Sequence, residues 1–385
     1  MVEVQQTVSF LDHFSALRDP RQKGKVLYPL TEMMLLVLCG VLATAEDFVE
    51  IARWGRLNLD FLRRFLPFAR GVPSHDALND VFNAVEAEAF RDRFIAWAES
   101  LRADAPCVND GPPVVALDGK TSRRTGDAGK GRSPLHMVSA WASQQRIVLG
   151  QEAVDTKENE IVAIPRLLEM LELTGALVTI DAMGCQKQIA RKIRDKGADY
   201  LLPVKGNQPA LQNDIELFFA EQRACAFANT KALFHQTVDN DHGRLEIRRH
   251  WSTSDIDWLK ERHPDWTDLT SIGLIERETE RAGKVEITSH PYIASTPADA
   301  VLLAAAARSH WGIENDLHWS LDVTFHEDLS RLRSAHGPHN MAVVRHIAFN
   351  LLKQAKAKGK DSLKTTRKKA AWSTDFLQSV IQGTG

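Results

Sequence analysis

Val114–Gly119 reads VVALDG, and Leu177–Ala182 reads LVTIDA. Each is a short unbroken apolar run that closes on an aspartate followed by a small residue. Runs of this kind predict strands buried on both faces of a sheet, and ligands of such sheets sit beyond the strand ends. A carboxylate emerging there is costly unless a cation or hydrogen-bond donors meet it. One such aspartate reads as a turn cap, whereas two in matching context point to a site, so Asp118 and Asp181 become its first candidates.

The surrounding pattern alternates strands and helices. Leu135–Ser143 and Arg146–Val154, two residues apart, predict antiparallel strands joined by a tight turn. Glu160–Gly175 predicts a helix closed by glycine. Lys187–Gly197, Asp199–Gly206 and Gln208–Gln222 predict helix, strand and helix. Between about 223 and 297 the texture changes to alternating, exposed β-strands, with Pro291 arguing against a central position for the last of them. The first hundred residues read as helical. Met33–Ala45, the most apolar run, is too short to span a bilayer and predicts a core helix, and Ser74 is placed as an N-cap. Cys107–Pro113 (CVNDGPP) reads as a break between domains. These boundaries give a helical unit over 1–106, a unit of strands and helices over 107–352 and a basic helical tail over 353–385.

Arg308–Arg333 reads RSHWGIENDLHWSLDVTFHEDLSRLR. At 100° per residue, Ile313, Leu317 and Leu321 share a face, and Glu314 lies at its edge between His310 and His318. A helix docked through that face brings Glu314 towards a sheet. Two aspartates from strands and one glutamate from a helix form an oxygen donor set suited to two magnesium ions around a scissile phosphate.

Other chemistries fit less well. DGKTS resembles the end of a phosphate-binding loop, but the glycine required five residues before Gly119 is Val114. His310, Glu314 and His318 could bind zinc, yet the spacing is not HExxH and no cysteine cluster supports it. No GxSxG is present for a serine nucleophile. The four cysteines, Cys39, Cys107, Cys185 and Cys225, are scattered, which predicts reduced thiols in the cytoplasm rather than a disulfide framework. The N-terminus lacks a signal-peptide pattern. A net charge of −2 argues against a uniformly basic nucleic-acid binder but not against local patches. One such patch, Lys353–Lys369, carries eight Lys or Arg and one Asp, and suits either a solvated tail or contact with a DNA backbone.

The segments VVALDGKTSRR, LVTIDAMGCQKQIARKI, DYLLPVKGNQPAL, HGRLEIR and RSHWGIENDLHWSLDVTFHEDLSR occur here in the order found in ISAs-type, or H-repeat-associated, DDE transposases, which this chain resembles over nearly its whole length. DPRQKGKVLYPLTEMMLL and GVPSHDALNDVF are similar to the helical domain that accompanies that family. The resemblance implies an α/β fold: an RNase H-like catalytic core with a β-rich insertion before the last catalytic helix, plus an all-α N-terminal domain. It implies Asp118 on the first strand, Asp181 on the fourth and Glu314 on a late helix as catalytic and metal-binding acids. Two Mg2+ ions per site, replaceable by Mn2+, would serve in-line attack on phosphate, first by water and then by a DNA 3′-hydroxyl. The implied partners are double-stranded DNA, at transposon ends and target, and a second copy of the chain on paired ends, in the cytoplasm at the nucleoid and without a membrane. The alternative within the family is a DNA-binding regulator or relic that no longer transposes.

The chain departs from the wider superfamily around its third acid. The positions of the usual Tyr, Arg and Lys are Ala307, His310 and Leu321. His310, His318, Arg331 and Arg333 are therefore the candidates for holding DNA in their place. Lys120 and Lys205 follow the strand ends and are candidate phosphate contacts, and Asn207 and Gln208 suit either hydrogen bonds to DNA or turn chemistry. Arg244, Arg248 and Trp251 of the insertion suit either DNA contact, with Trp251 stacking on a base, or ordinary β-surface packing. Arg345 falls on an amphipathic helix, Asn340–Lys353, expected in the core.

Overall fold

The computed structural model describes residues 9–104, 111–154, 158–241, 244–281, 284–357 and 359–384. Cys107 and most of the break expected around it lie outside these, as do His242, Gly243 and Lys358. The described N-terminal elements are helices: α1 (Ser9–Phe14), α2 (Leu30–Leu42), α3 (Phe48–Leu57), α4 (Leu59–Leu62), α5 (His75–Ala84) and α6 (Ala87–Asp104). Ser74 caps α5 by accepting from Ala77 N at 3.2 Å. Helix α2 is the apolar run, and nearly every residue from Leu30 to Leu42 is buried. Among the described residues no helix is long and apolar enough to cross a membrane.

After this helical stretch come β1 (Val114–Ser122), β2 (Leu135–Ala142), β3 (Ile147–Val154), α7 (Glu160–Met170), β4 (Leu177–Ile180), α8 (Lys187–Asp195), β5 (Asp199–Pro203) and α9 (Pro209–Ala224). The β-rich stretch supplies β6 (Ala232–Asp241), β7 (Arg244–Thr253), the short α10 (Asp257–Arg262), β8 (Ser271–Arg281) and β9 (Lys284–Ala294). The nine strands of the described residues form one sheet in the order β3-β2-β1-β4-β5-β9-β8-β7-β6. Strands β1, β4 and β5 run parallel, and the remaining ladders are antiparallel. Strand β9 is central despite Pro291. Its ladder with β5 covers only Tyr292–Ala294, so the missing N–H falls just past it, and the Pro291 carbonyl still accepts from Val204 N at 2.8 Å.

Helix α11 (Ala300–Gly312), a π-helical segment (Ile313–His318) and α12 (Trp319–Val323) follow. Helix α11 lies across β1 and β4 and reaches β6 and β7, so it bridges the parallel strands and the β-rich extension. Helix α13 (Gly337–Ala357) is buried along most of its length and packs on α2, α5, α6 and β3. Its Asn350 side chain, fully buried, bonds both Val148 N (2.8 Å) and Val148 O (2.9 Å) of edge strand β3. One apolar core runs from α1 and α2 through α13 into β1–β5.

The chain ends in α14 (Leu363–Trp372) and α15 (Thr374–Ile381), and here the basic stretch divides. Lys360, Lys364, Lys368 and Lys369 are exposed, whereas Lys353 and Arg367 are buried. Arg367 donates from Nε and Nη2 to Val41 O, at 2.9 and 2.7 Å, and from Nη1 to Thr324 O. Its guanidinium lies over the Phe325 ring at 4.6 Å. At the end of α2, where carbonyls lack their i+4 donor, Val41 O accepts from the backbone only a long bond from Thr44 N, at 3.3 Å, so Arg367 completes the C-terminal cap of that core helix. Arg367→Met takes the donor from Thr324 O and leaves Val41 O with the long Thr44 N bond, and is expected to cost about 3–5 kcal/mol, read as a lower urea midpoint. Lys364→Met, at an exposed site, is expected to change it by less than about 0.5 kcal/mol.

Candidate active site

The parallel ladder of β1 and β4 runs from Val114↔Leu177 to Leu117↔Ile180 and stops there. Asp118 and Asp181 are the next residues on the two chains. Asp118 is not a strand end, contrary to expectation. Strand β1 continues to Ser122 because β2 goes on supplying partners, from Asp118↔Ser139 to Ser122↔Leu135. Its carboxylate stands where the sheet loses a neighbour on one side only. Asp118 Oδ1 accepts from Gly119 N at 2.9 Å. Asp181 Oδ1 accepts from Gly184 N at 3.1 Å and caps a short 3₁₀ turn.

Glu314 sits in the π-helical segment, where Trp319 N bonds Glu314 O, five residues back. The wider turn changes the spacing expected from an α-helix. Ile313, Leu317 and Leu321 are buried as their period requires, but His318 turns inward as well, at 8% exposure. Glu314 stays exposed. Asp316 anchors the segment from another side, accepting from Arg146 Nε at 2.8 Å and pairing with Lys353. Such π-bulges recur at functional sites. Trp311 and Trp319 are exposed, at 57% and 55%, so neither is a core aromatic.

Asp118, Asp181 and Glu314 line one cleft of about 1000 Å³ between α11 and the sheet. Lys205, Arg248, Arg277, Arg308, His235, His250, His290 and Trp311 line it too. Burial, with Glu160, Asp181 and Glu314 near by, pushes the Asp118 carboxyl up to about 7, against the pull of its bond from Gly119 N. Asp181 is also raised, by burial and then by Glu160, while Gly184 N and Lys205 pull it down. For both groups burial is the larger cause, and the neighbouring acids add to it.

The residues proposed from sequence for DNA contact separate sharply. Lys205 is exposed at the cleft, beside Asp181. Arg331 is exposed. Arg333 spends its Nε on Arg124 O (3.0 Å) and lies 3.5 Å from Asp127. Asn207 and Gln208 follow the turn reading. Asn207 Nδ2 donates to Ala182 O (2.7 Å), and Gln208 Nε2 to Cys185 O (3.1 Å), so both brace the loop after Asp181. Lys120 is 10% exposed and faces Asp322 (2.6 Å), Glu327 (3.5 Å) and Asp328 (3.7 Å), which places it in an internal ion cluster rather than at an open phosphate site.

His310 lines the cleft and meets Thr179 Oγ1 at 3.2 Å. His318 places Nδ1 3.5 Å from Asp118 Oδ2. Burial pulls both imidazoles down to about 4, so at neutral pH they carry no charge to offer a phosphate. Arg345 is in the core, 3.9 Å from Glu327. Trp251 is buried against Phe227 and Phe234, which favours packing over base stacking, and Arg248 pairs with Asp239 and Glu246. Arg244 lies on β7 opposite Asp241. Sequence reasoning missed the exposed Arg123, Arg124, Lys130 and Arg132 at the far end of β1, although SRR within VVALDGKTSRR carried the signal. It also missed Glu160, which begins α7.

Comparison with known proteins bears directly on this arrangement. A family model described as "DDE_Tnp_1-associated" matches residues 11–98, and one described as "Transposase DDE domain" matches residues 109–351. The chain belongs to the DDE transposase family. Its relatives include a protein of Escherichia coli O157:H7 named "Putative transposase YncI", 38% identical, covering 97% of this chain and 94% of that one. Another, of Escherichia coli strain K12, is named "H repeat-associated putative transposase YhhI", 35% identical, covering 97% and 98%. These relatives place the transposase in the H-repeat-associated group. A piggyBac transposase solved as a synaptic complex with hairpin DNA aligns with a TM-score of 0.41 at 10% identity, covering 96% of this chain and 77% of that one.

DDE transposases generally use a divalent cation, and the donor set here suits one. The candidate ligands are carboxylate oxygens, and their mutual repulsion at Asp118 is what a cation relieves. Among the described residues no three His, Cys, Asp or Glu side chains form a preformed cage. Among the described residues the cysteines form no competing soft site. Cys39 and Cys185 are buried and free, and burial pushes the Cys185 thiol up to about 12.

Proposed function

We propose that this transposase cuts and rejoins DNA at the ends of its own insertion sequence, with Asp118, Asp181 and Glu314 as its metal-binding catalytic acids. The observation that carries the reading is their shared cleft: acids from β1, β4 and the π segment line it together with Lys205 and Trp311. The parallel strands with α7, α8 and α11 are read as an RNase H-like core, with β6–β9 as its insertion and 9–104 as the all-α associated domain.

Bound Mg2+, with Mn2+ as a substitute, would lower the cost of deprotonating the attacking oxygen and stabilise the leaving one. The chain's own residues do the rest. The exposed arginines beyond β1 and Lys205 neutralise phosphates and set the register of the duplex. The cleft between α11 and the insertion takes the reacting strand. Neutral His310 and His318 add hydrogen-bonding groups beside the acids without a charge that would compete for them. In the first step a water oxygen bonds to phosphorus and the bond to the 3′-oxygen breaks, giving a 3′-hydroxyl and a 5′-phosphate. In the second, that hydroxyl attacks a target phosphate and one phosphodiester replaces another, so no external energy source is needed. Two copies acting on paired ends would keep both cuts in one complex.

Purified protein, Mg2+ and a DNA carrying the element's two ends test the reading. Breaks at the ends, followed by products joined to a target plasmid, are expected. Cutting without joining would reassign it as a nuclease, and end binding with neither reaction would make it a regulator or relic.

A further inference from the structure

The cleft's three acids have a neighbour that the family motif does not include. Glu160 is the first residue of α7, just past the N-cap Asn159, whose Oδ1 accepts from Ile161 N at 3.1 Å. The start of an eleven-residue helix favours a negative charge. Glu160 Oε1 lies 2.7 Å from His136 Nε2, and His136 Nδ1 lies 2.7 Å from Thr121 Oγ1. An ionised carboxylate only accepts, so Nε2 carries the proton and Nδ1 accepts from the threonine hydroxyl. The imidazole is thus fixed between β1 and α7, and it holds the glutamate in one orientation.

That orientation brings the carboxylate against the backbone beside Asp118. A β-carbon placed on Gly119 would lie 2.5 Å from Glu160 Cδ and 2.8 Å from His136 Nε2. Gly119 is therefore the gap through which Glu160 approaches. Opposite, His318 faces Asp118 with Nδ1 at 3.5 Å and has its Nε2 buried without a hydrogen-bond partner. The placement sets the gain from His136 and the helix start against the cost each carboxylate imposes on its neighbours.

We infer that Glu160 is a fourth metal-facing carboxylate of the site, oriented by His136 and admitted by the absence of a side chain at Gly119. The inference rests on the reading of Asp118 as a metal ligand. It assigns Glu160 to the same divalent, oxygen-preferring cation, reached directly or through a bound water. It also assigns His136 and Thr121 as positioning residues that act through Glu160.

Mn2+ titration of the full-length protein, followed by electron paramagnetic resonance, tests it, with metal-free melting temperature as the companion measurement. Glu160→Gln keeps the shape and removes the charge. It is expected to weaken Mn2+ binding by about ten- to hundredfold while the metal-free melting temperature stays level or rises. Gly119→Ala, which displaces the carboxylate and leaves its charge, is expected to weaken binding similarly. Combining the two should add little to either alone. Mn2+ affinity within twofold of the parent in Glu160→Gln would overturn the inference, and so would a lowered melting temperature with unchanged Mn2+ binding. Asp118→Asn separates the two levels. If it loses Mn2+ while Glu160→Gln does not, only the role of Glu160 falls. If the parent and Asp118→Asn bind Mn2+ alike, or the parent binds none, the metal site itself falls.

Discussion

Asp118→Asn, Asp181→Asn and Glu314→Gln are each expected to reduce end cleavage by about a thousandfold or more, equivalent to about 4 kcal/mol of barrier, with affinity for end DNA held within about threefold. The three changes are isosteric. At Asp118 and Asp181 each removes a charge that burial and neighbouring acids already disfavour, and Glu314 is exposed, so the fold has no reason to weaken. DNA affinity rests on other residues, chiefly exposed basic groups. Single-turnover cleavage beside a gel-shift titration reads both quantities. A variant that keeps more than about a tenth of the parent rate would remove that acid from the chemistry.

The second large effect is on stability, at Lys120. Burial alone would pull its ammonium down, yet Glu327, Asp322 and Asp328 outweigh that and hold it above the usual lysine range. Glu327 is 4% exposed, with Arg345 as its other cation, at 3.9 Å. Lys120→Met takes the cation from Asp322 and leaves buried Glu327 with Arg345 at 3.9 Å, and is expected to cost about 3–5 kcal/mol in urea unfolding. The cluster joins β1 to the turn after α12, so it fixes where the helix carrying Glu314 ends. A phosphate-binding Lys120 would behave in the opposite way, with stability unchanged and DNA affinity reduced.

Lys120 also illustrates what sequence carries and what it does not. Its position two residues past Asp118 was plain, but its partners Asp322, Glu327 and Asp328 lie some two hundred residues away, and no local pattern pairs them. The strands bearing Asp118 and Asp181 were legible because an unbroken apolar run can only be a buried element. The docking of the Glu314 helix through Ile313, Leu317 and Leu321 followed from its period. The inward turn of His318 did not, since a π-helical turn leaves no mark in a pattern read at 100° per residue. Trp311 and Trp319 have the composition of core residues and the exposure of surface ones. Arg367 reads as one charge in a basic run, and only the end of α2, packed against it, makes it a cap. Glu160 looked like an ordinary helix start, and its proximity to Asp118 depends on the antiparallel return of β2 and β3.

The central claim is that acids distant in sequence form one cation site, and anomalous diffraction from crystals soaked in Mn2+ tests it most directly. The account predicts a peak within about 2.1–2.3 Å of an Asp118 oxygen and an oxygen of Asp181 or Glu314. No peak in the cleft at saturating Mn2+, or a peak held by other residues alone, would contradict it.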